Sequence, residues 1–127
     1  MTTRTLALLF AFSFAISLSG CTDEESAGGV ICTEEFRYAL LHVPGVPLAD
    51  SYTVRLSNSD TIRNLGNSDL RSDNYIVLDD NYQPKLENQQ DTFRFIGKRG
   101  GEVVVREDYV FKADRCHITK LSGKDTL

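Results

Sequence analysis

The chain has 127 residues, 41% of them hydrophobic and 25% charged, which excludes wholesale disorder and suits one small domain. Asp and Glu number 18 against 14 Lys and Arg, giving a formal net charge of −4. Binding to a phosphate backbone rests on a surplus of Lys and Arg, so a nucleic-acid partner is not expected.

Arg4 supplies a positive n-region, and Leu6 to Leu18 is a 13-residue run in which only Ser13 and Ser17 are not apolar. This reads as the h-region of an export signal, too short for an ordinary membrane-spanning helix. It leads into Leu18-Ser19-Gly20-Cys21, which resembles the lipobox of bacterial lipoproteins: a branched apolar residue, two small residues and the cysteine that receives lipid. The resemblance implies cleavage before Cys21 and a diacylglyceryl group on its thiol. It also implies a stable anchor in the membrane, because each buried methylene of acyl chain contributes about 0.8 kcal/mol. Residues 1–20 are then the signal peptide, and 21–31 a lipidated flexible tether with little to bury. Asp23-Glu24-Glu25 beside the lipidated cysteine resembles the signals that send some lipoproteins to the outer face of the outer membrane, and it suits a solvated linker equally well. The expected location is the bacterial cell envelope, lipid-anchored at the outer membrane.

With Cys21 lipidated, Cys32 and Cys116 remain, one near each end of the folded region and both in an oxidising compartment. A pair so placed reads as one structural disulfide, whose loop closure is worth about 4 to 5 kcal/mol in the simple chain-entropy picture. The alternative is a Cys/His metal site prompted by His117 beside Cys116, but no CxxC or HxxxH spacing accompanies it.

After the signal, period-two alternation dominates and no helical stretch stands out. A first strand runs from Phe36 to Val43 and is broken by Pro44-Gly45-Val46-Pro47. A second carries Tyr52, Val54 and Leu56 on one face and Thr53, Arg55 and Ser57 on the other. The polar stretch from Asn58 to Asn74 holds one short strand around Thr61 to Arg63. Tyr75-Ile76-Val77-Leu78 is a compact strand closed by Asp79-Asp80-Asn81, and Leu86 is the core candidate of the polar run from Gln83 to Gln90. Thr92 to Ile96 resumes strand character, Gly97 to Gly101 turns the chain, and Glu102 to Arg106 returns, with Val103, Val104 and Val105 expected to be buried on both faces. Tyr109 to Phe111 and Cys116 to Leu121 complete the set. About seven short strands separated by turn signals predict an all-β fold, an antiparallel β-sandwich over residues 32–123, with 124–127 as a tail. A Cys32–Cys116 bond would bring the first and last strands together.

Gly45-Val46-Pro47-Leu48 followed by alternating Tyr52, Val54 and Leu56 resembles the opening of transthyretin-like or carboxypeptidase-regulatory-like domains. That resemblance implies a small sandwich that binds or scaffolds. Tyr75 to Asp80, and Asp114 to Ile118 leading to Ser122-Gly123, resemble elements of small bacterial lipoproteins and imply no particular activity.

Catalytic signals are sparse. His42 and His117 are the two histidines, both placed in expected strands, and no serine sits in a Gly-x-Ser-x-Gly elbow. Asp79 and Asp80 with Glu87 or Asp91 could form a glycosidase-like carboxylate pair. Calcium is the cofactor to weigh, with Asp79, Asp80 and Asn81 or Asp69, Asp73 and Asn74 as oxygen ligands. The EF-hand spacing is absent, however, and Asp and Asn in turns commonly bond their own backbone. Lys98, Arg99 and Arg106 cluster at the hairpin, interrupted by Glu102 and Glu107. Most aromatic residues alternate with polar neighbours and are expected in the core. Tyr82, just after the acidic turn, is the candidate for exposure, and with Tyr75 or Tyr109 it could form a carbohydrate or peptide platform beside Asp79 and Asp80.

These readings lead to a lipid-anchored envelope module that binds or scaffolds, without catalytic machinery, metal or cofactor beyond the lipid on Cys21. Its partners would be the membrane and an envelope protein or glycan, reached through loop tips or by strand addition at a sheet edge. A small envelope enzyme or enzyme inhibitor is the contrary expectation.

Overall fold

The computed structural model describes residues 29–63 and 73–127, so the export signal, Cys21, most of the tether and Asp69 lie outside the described residues. The strands are β1 (Tyr38–His42), β2 (Asp50–Arg55), β3 (Thr61–Ile62), β4 (Asn74–Asp79), β5 (Gln90–Arg99), β6 (Glu102–Ala113) and β7 (Ile118–Ser122). Between β4 and β5 lie a single turn of 3-10 helix, Asp80–Tyr82, and the four-residue helix α1, Gln83–Leu86. β1 and β4 form a two-stranded sheet, and the other five strands form a second sheet in the order β3-β2-β5-β6-β7, with every ladder antiparallel. The expected all-β sandwich is the fold observed.

Packing decides which face of each strand turns inward. In β1 the aliphatic set Ala39, Leu41 and Val43 is buried, while Phe36 and Tyr38 are each 52% exposed, contrary to the expectation that the aromatics here form core. A bulge in β4 leaves Val77 as an extra residue between Leu78, opposite Ala39, and Ile76, opposite Leu40. Both Val77 and Leu78 therefore reach the core, as a strict alternation would forbid. On β2 the inward residues are Thr53 and Arg55. Thr53 Oγ1 donates to the Val77 carbonyl at 2.6 Å and ties the two sheets together. The Arg55 guanidinium is satisfied by Asp91 at 2.5 Å, the Lys85 carbonyl at 3.0 Å and Gln89 at 3.0 Å. A buried cation with that many acceptors avoids the desolvation penalty an unpaired one would suffer.

The centre of the core is aromatic. Phe93 meets Phe111 and Tyr82 edge-on, with ring centroids 5.6 Å apart in both pairs. Each fully buried ring of this kind stabilises the fold by about 1.5 to 3 kcal/mol.

The hairpin is longer than the sequence suggests. β5 continues through Gly97 to Arg99, the turn is made by Gly100 and Gly101, and β6 is one twelve-residue strand where two short ones were expected. Gly97 is a packing glycine: a Cβ there would lie 2.6 Å from Leu48 Cδ1. Val104 is the extra residue of a second bulge, with Gly97 opposite Val105 and Lys98 opposite Val103. Only Val105 is buried, and Val103 and Val104 are exposed on the flank of the sheet, which corrects their expected burial on both faces. The last residues also join the fold: His42 N–H donates to the Asp125 carbonyl at 2.8 Å, and Leu127 N–H donates to the His42 carbonyl at 3.1 Å.

Candidate functional site

β1 and β7 are outer strands of different sheets, and they run side by side in the same direction. At their starting ends one carboxylate holds both: Asp80 Oδ2 accepts from Arg37 N–H at 2.7 Å and Asp80 Oδ1 from Ile118 N–H at 2.8 Å. At their far ends the chain leaving β7 turns beneath Tyr109 and pairs in parallel with His42 through Thr126. Between these two closures no ladder joins β1 to β7 among the described residues. The seam opens instead into a groove of about 430 Å³, lined by 35–39, Phe111 and 118–120. Ala39, Phe111 and Ile118 are its buried apolar floor, and exposed Phe36 and Tyr38 stand at its rim.

The Asp80 end is heavily built. Asp79 accepts from Asn81 N–H at 3.0 Å and caps the turn, which delivers the Asp80 carboxylate into the seam. His117, immediately ahead of β7, lies with Nδ1 2.8 Å from Asp80 Oδ2 and Nε2 3.0 Å from Thr33 Oγ1. A proton on Nδ1 toward the carboxylate leaves Nε2 to accept from the hydroxyl. Burial raises the Asp80 carboxyl pKa, but the N–H donors of Ile118 and Arg37 and the His117 imidazole outweigh it and hold the group below its usual 3.8. Asp114 accepts from the N–H groups of Cys116 at 2.7 Å and His117 at 2.8 Å, and these bonds lower its pKa as well. Cys32 and Cys116 sit beside this knot with Cα atoms 5.3 Å apart, at disulfide distance.

The structure separates the residues that the sequence grouped as a surface. Tyr82 is 5% exposed, so the expectation of an exposed Tyr82 platform is overturned. Its hydroxyl donates to Asp60 at 2.9 Å and its ring packs on Phe93 beneath Lys85. Tyr109 is fully buried and donates to the Lys124 carbonyl at 2.9 Å. Asp79 and Asp80 accept from backbone N–H groups, as Asp in turns commonly does. Asp91 is held by Arg55 and Ser57, which takes it away from any carboxylate pair. Among the described residues no group of three His, Cys, Asp or Glu side chains is arranged to hold a metal. His42 faces Asp73 at 3.5 Å at the opposite end of β1 from the Asp80 knot.

Phe36, Arg37, Tyr38 and Lys120 were not singled out from the sequence. The local pattern leaves two period-two sets in competition, Phe36, Tyr38 and Leu40 against Ala39, Leu41 and Val43, and packing turns the second inward. No family model, curated protein or solved structure matches the chain.

Proposed function

We propose that this is a lipid-anchored cell-envelope binding module of the bacterial lipoprotein type, attached through Cys21 and related in architecture to the transthyretin-like sandwiches. Its recognition element is the seam between β1 and β7, and its partner offers an extended polypeptide segment. The observation that carries this reading is the groove itself, where two open strand edges run parallel above an apolar floor. A segment entering antiparallel to both strands would pair with both edges and merge the two sheets into one antiparallel ladder, a recurrent mode of peptide recognition. Its alternate side chains would fill the groove, whose volume suits a few residues.

A photo-crosslinking residue in place of Tyr38, in the native host, tests the seam against a control at exposed Val103. The expected product is one contiguous peptide of an envelope protein crosslinked at Tyr38 and absent at Val103. Thr119→Trp, which fills the groove, should abolish it with the melting temperature kept. A crosslink that survives Thr119→Trp in a folded protein would overturn the seam reading.

A second reading, hydrolysis, has one observation in its favour. Thr33, His117 and Asp80 follow one another as hydroxyl, imidazole and carboxylate, the order used by nucleophilic hydrolases. Thr33 is exposed, so Thr33→Val should fold normally. Turnover of p-nitrophenyl acetate that disappears in Thr33→Val supports hydrolysis, and equal background rates remove it.

A further inference from the structure

The outward face of the five-stranded sheet carries a second feature, on β2, β5 and β6, whereas the seam lies at the β7 edge. The row Tyr52, Ile96 and Arg106 crosses β2, β5 and β6, and Val54, Arg94 and Asp108 form the next row. Arg63 stacks over the Tyr52 ring at 4.8 Å and Lys98 lies over the same ring at 5.3 Å. Four cations, Arg63, Arg94, Lys98 and Arg106, thus surround the half-buried Tyr52 and the buried Ile96. Two carboxylates accompany them, and both are taken: Asp50 by Arg63 at 2.7 Å and Asp108 by Arg94 through 2.6 and 2.8 Å contacts. Among the described residues Lys98 and Arg106 have no carboxylate within ion-pair distance, and Glu102 is the acidic residue at the hairpin tip beyond them. Arg99 does not contribute, since its Nε and Nη2 are buried. A chain of formal charge −4 therefore presents one face with a cationic surplus.

We infer that this face lies against anionic phospholipid headgroups of the membrane that bears the anchor, with Lys98 and Arg106 supplying the attraction. The inference rests on the lipid-anchored reading. Charge complementarity selects the occupant: a patch spread over three neighbouring strands, with two cations outside any ion pair, matches a field of singly charged phosphodiesters. Tyr52 is placed as interfacial aromatics are, with an apolar body and a polar tip. The eleven residues from Cys21 to Ile31 can span about 35 Å when extended, enough for this face to reach the surface from which the chain emerges.

The test uses a chain expressed from position 21 without the signal and carrying Cys21→Ser, so that binding does not depend on the acyl groups. Co-sedimentation with phosphatidylglycerol vesicles is compared with phosphatidylcholine vesicles, and with inorganic phosphate by titration. The inference expects binding to phosphatidylglycerol alone, weakened by salt. Lys98→Gln with Arg106→Gln should reduce it about thirtyfold, from roughly fivefold per cation near an anionic surface. Lys85→Gln with Lys124→Gln removes the same charge away from this face, since Lys85 pairs with Asp60 and Lys124 with Glu107, and should change it by less than a third of that. Equal loss in both double variants, binding to phosphate ion but not to vesicles, or no preference for phosphatidylglycerol would overturn it. Lipidation at Cys21 is read separately by mass, so failure of the anchor and failure of the face are distinguishable.

Discussion

Asp80 and His117 meet at 2.8 Å, and their side chains are 9% and 8% exposed, in the stitch that closes the starting end of the β1/β7 seam. The same carboxylate serves two backbone N–H groups from two sheets, so its removal strands three donors at once. Asp80→Ala should destabilise the protein by about 3 kcal/mol, and Asp80→Asn, which keeps one carbonyl acceptor, by about 1 to 2 kcal/mol. Urea denaturation at neutral pH checks both values. A loss below about 0.5 kcal/mol in Asp80→Ala would mean that the seam is held by the disulfide and the tail without it.

Acid should weaken the fold in a defined window. Asp80 and Asp91 are mostly buried and their pKa values lie below 3.8: burial pushes each up, but hydrogen bonds from Ile118, Arg37 and His117 in one case, and from Ser57, Arg55 and Thr92 in the other, prevail. A depressed folded-state pKa means that the unfolded chain takes up protons first as pH falls. The stabilisation is present above about pH 4 and is lost as pH drops through the lower, folded values. Asp60, Asp108 and Asp114 shift in the same direction but are more open to solvent screening. Stability measured in urea from pH 6 to pH 3 should fall, and Asp80→Asn should flatten that fall. Stability that rises toward pH 3 would contradict these hydrogen-bond assignments.

Much of this fold is legible in local sequence because strands announce themselves by alternation and by the turns between them. The inward faces are less legible. Thr53 and Arg55 turn in, and Tyr52 out, because Thr53 finds the Val77 carbonyl and Arg55 finds Asp91, Gln89 and the Lys85 carbonyl. Those partners are distant in sequence, and nothing near β2 marks them. Tyr82 looks exposed between polar neighbours, yet a single long-range bond to Asp60 lets the phenol go inside. The bulges at Val77 and Val104 are invisible for the same reason, since each is set by the strand opposite. The groove has no local signature because its two walls, 35–39 and 118–120, come from opposite ends of the domain.

Two glycines should rank in a set order. Gly123 has φ +122° and a Cβ there would sit 2.1 Å from Tyr109 Cδ1, against a ring locked in the core. Gly97 has an unstrained φ, and its nearest obstacle is the movable end of Leu48. Gly123→Ala is expected to lose about 3 kcal/mol and Gly97→Ala about 1 kcal/mol. The two denaturation midpoints settle the order, and a milder effect at Gly123 would mean that the tail is free to leave Tyr109.

Cys32 and Cys116 are 84 positions apart and sit at disulfide distance, so a bond between them would tie the N-terminal segment to the start of β7. Thiol labelling of the unfolded, unreduced processed protein should find no free cysteine, whereas two reactive thiols would deny the bond. Replacing both with serine should cost about 2 to 5 kcal/mol, chiefly through a less restricted unfolded chain. Because Thr33 and His117 adjoin the two cysteines, the loss should be coupled to that of Asp80→Ala, with the two effects summing to more than the combined variant shows.

The anchor is tested at one atom. If Leu18-Ser19-Gly20-Cys21 is a lipobox, the Cys21 sulfur is the acceptor of the lipid, and serine in its place offers no thiol to modify. Cys21→Ser should then accumulate with residues 1–20 attached and without acyl mass, while the folded region keeps its strand-rich circular dichroism. Intact-mass measurement of the wild-type protein should show the loss of the first twenty residues and the gain of a diacylglyceryl group. A wild-type chain cleaved at the same place without added lipid would leave an exported, soluble sandwich. The tether would then connect it to nothing, and the cationic face of the larger sheet would leave it in reversible, salt-sensitive exchange with anionic membranes in place of a stable anchor.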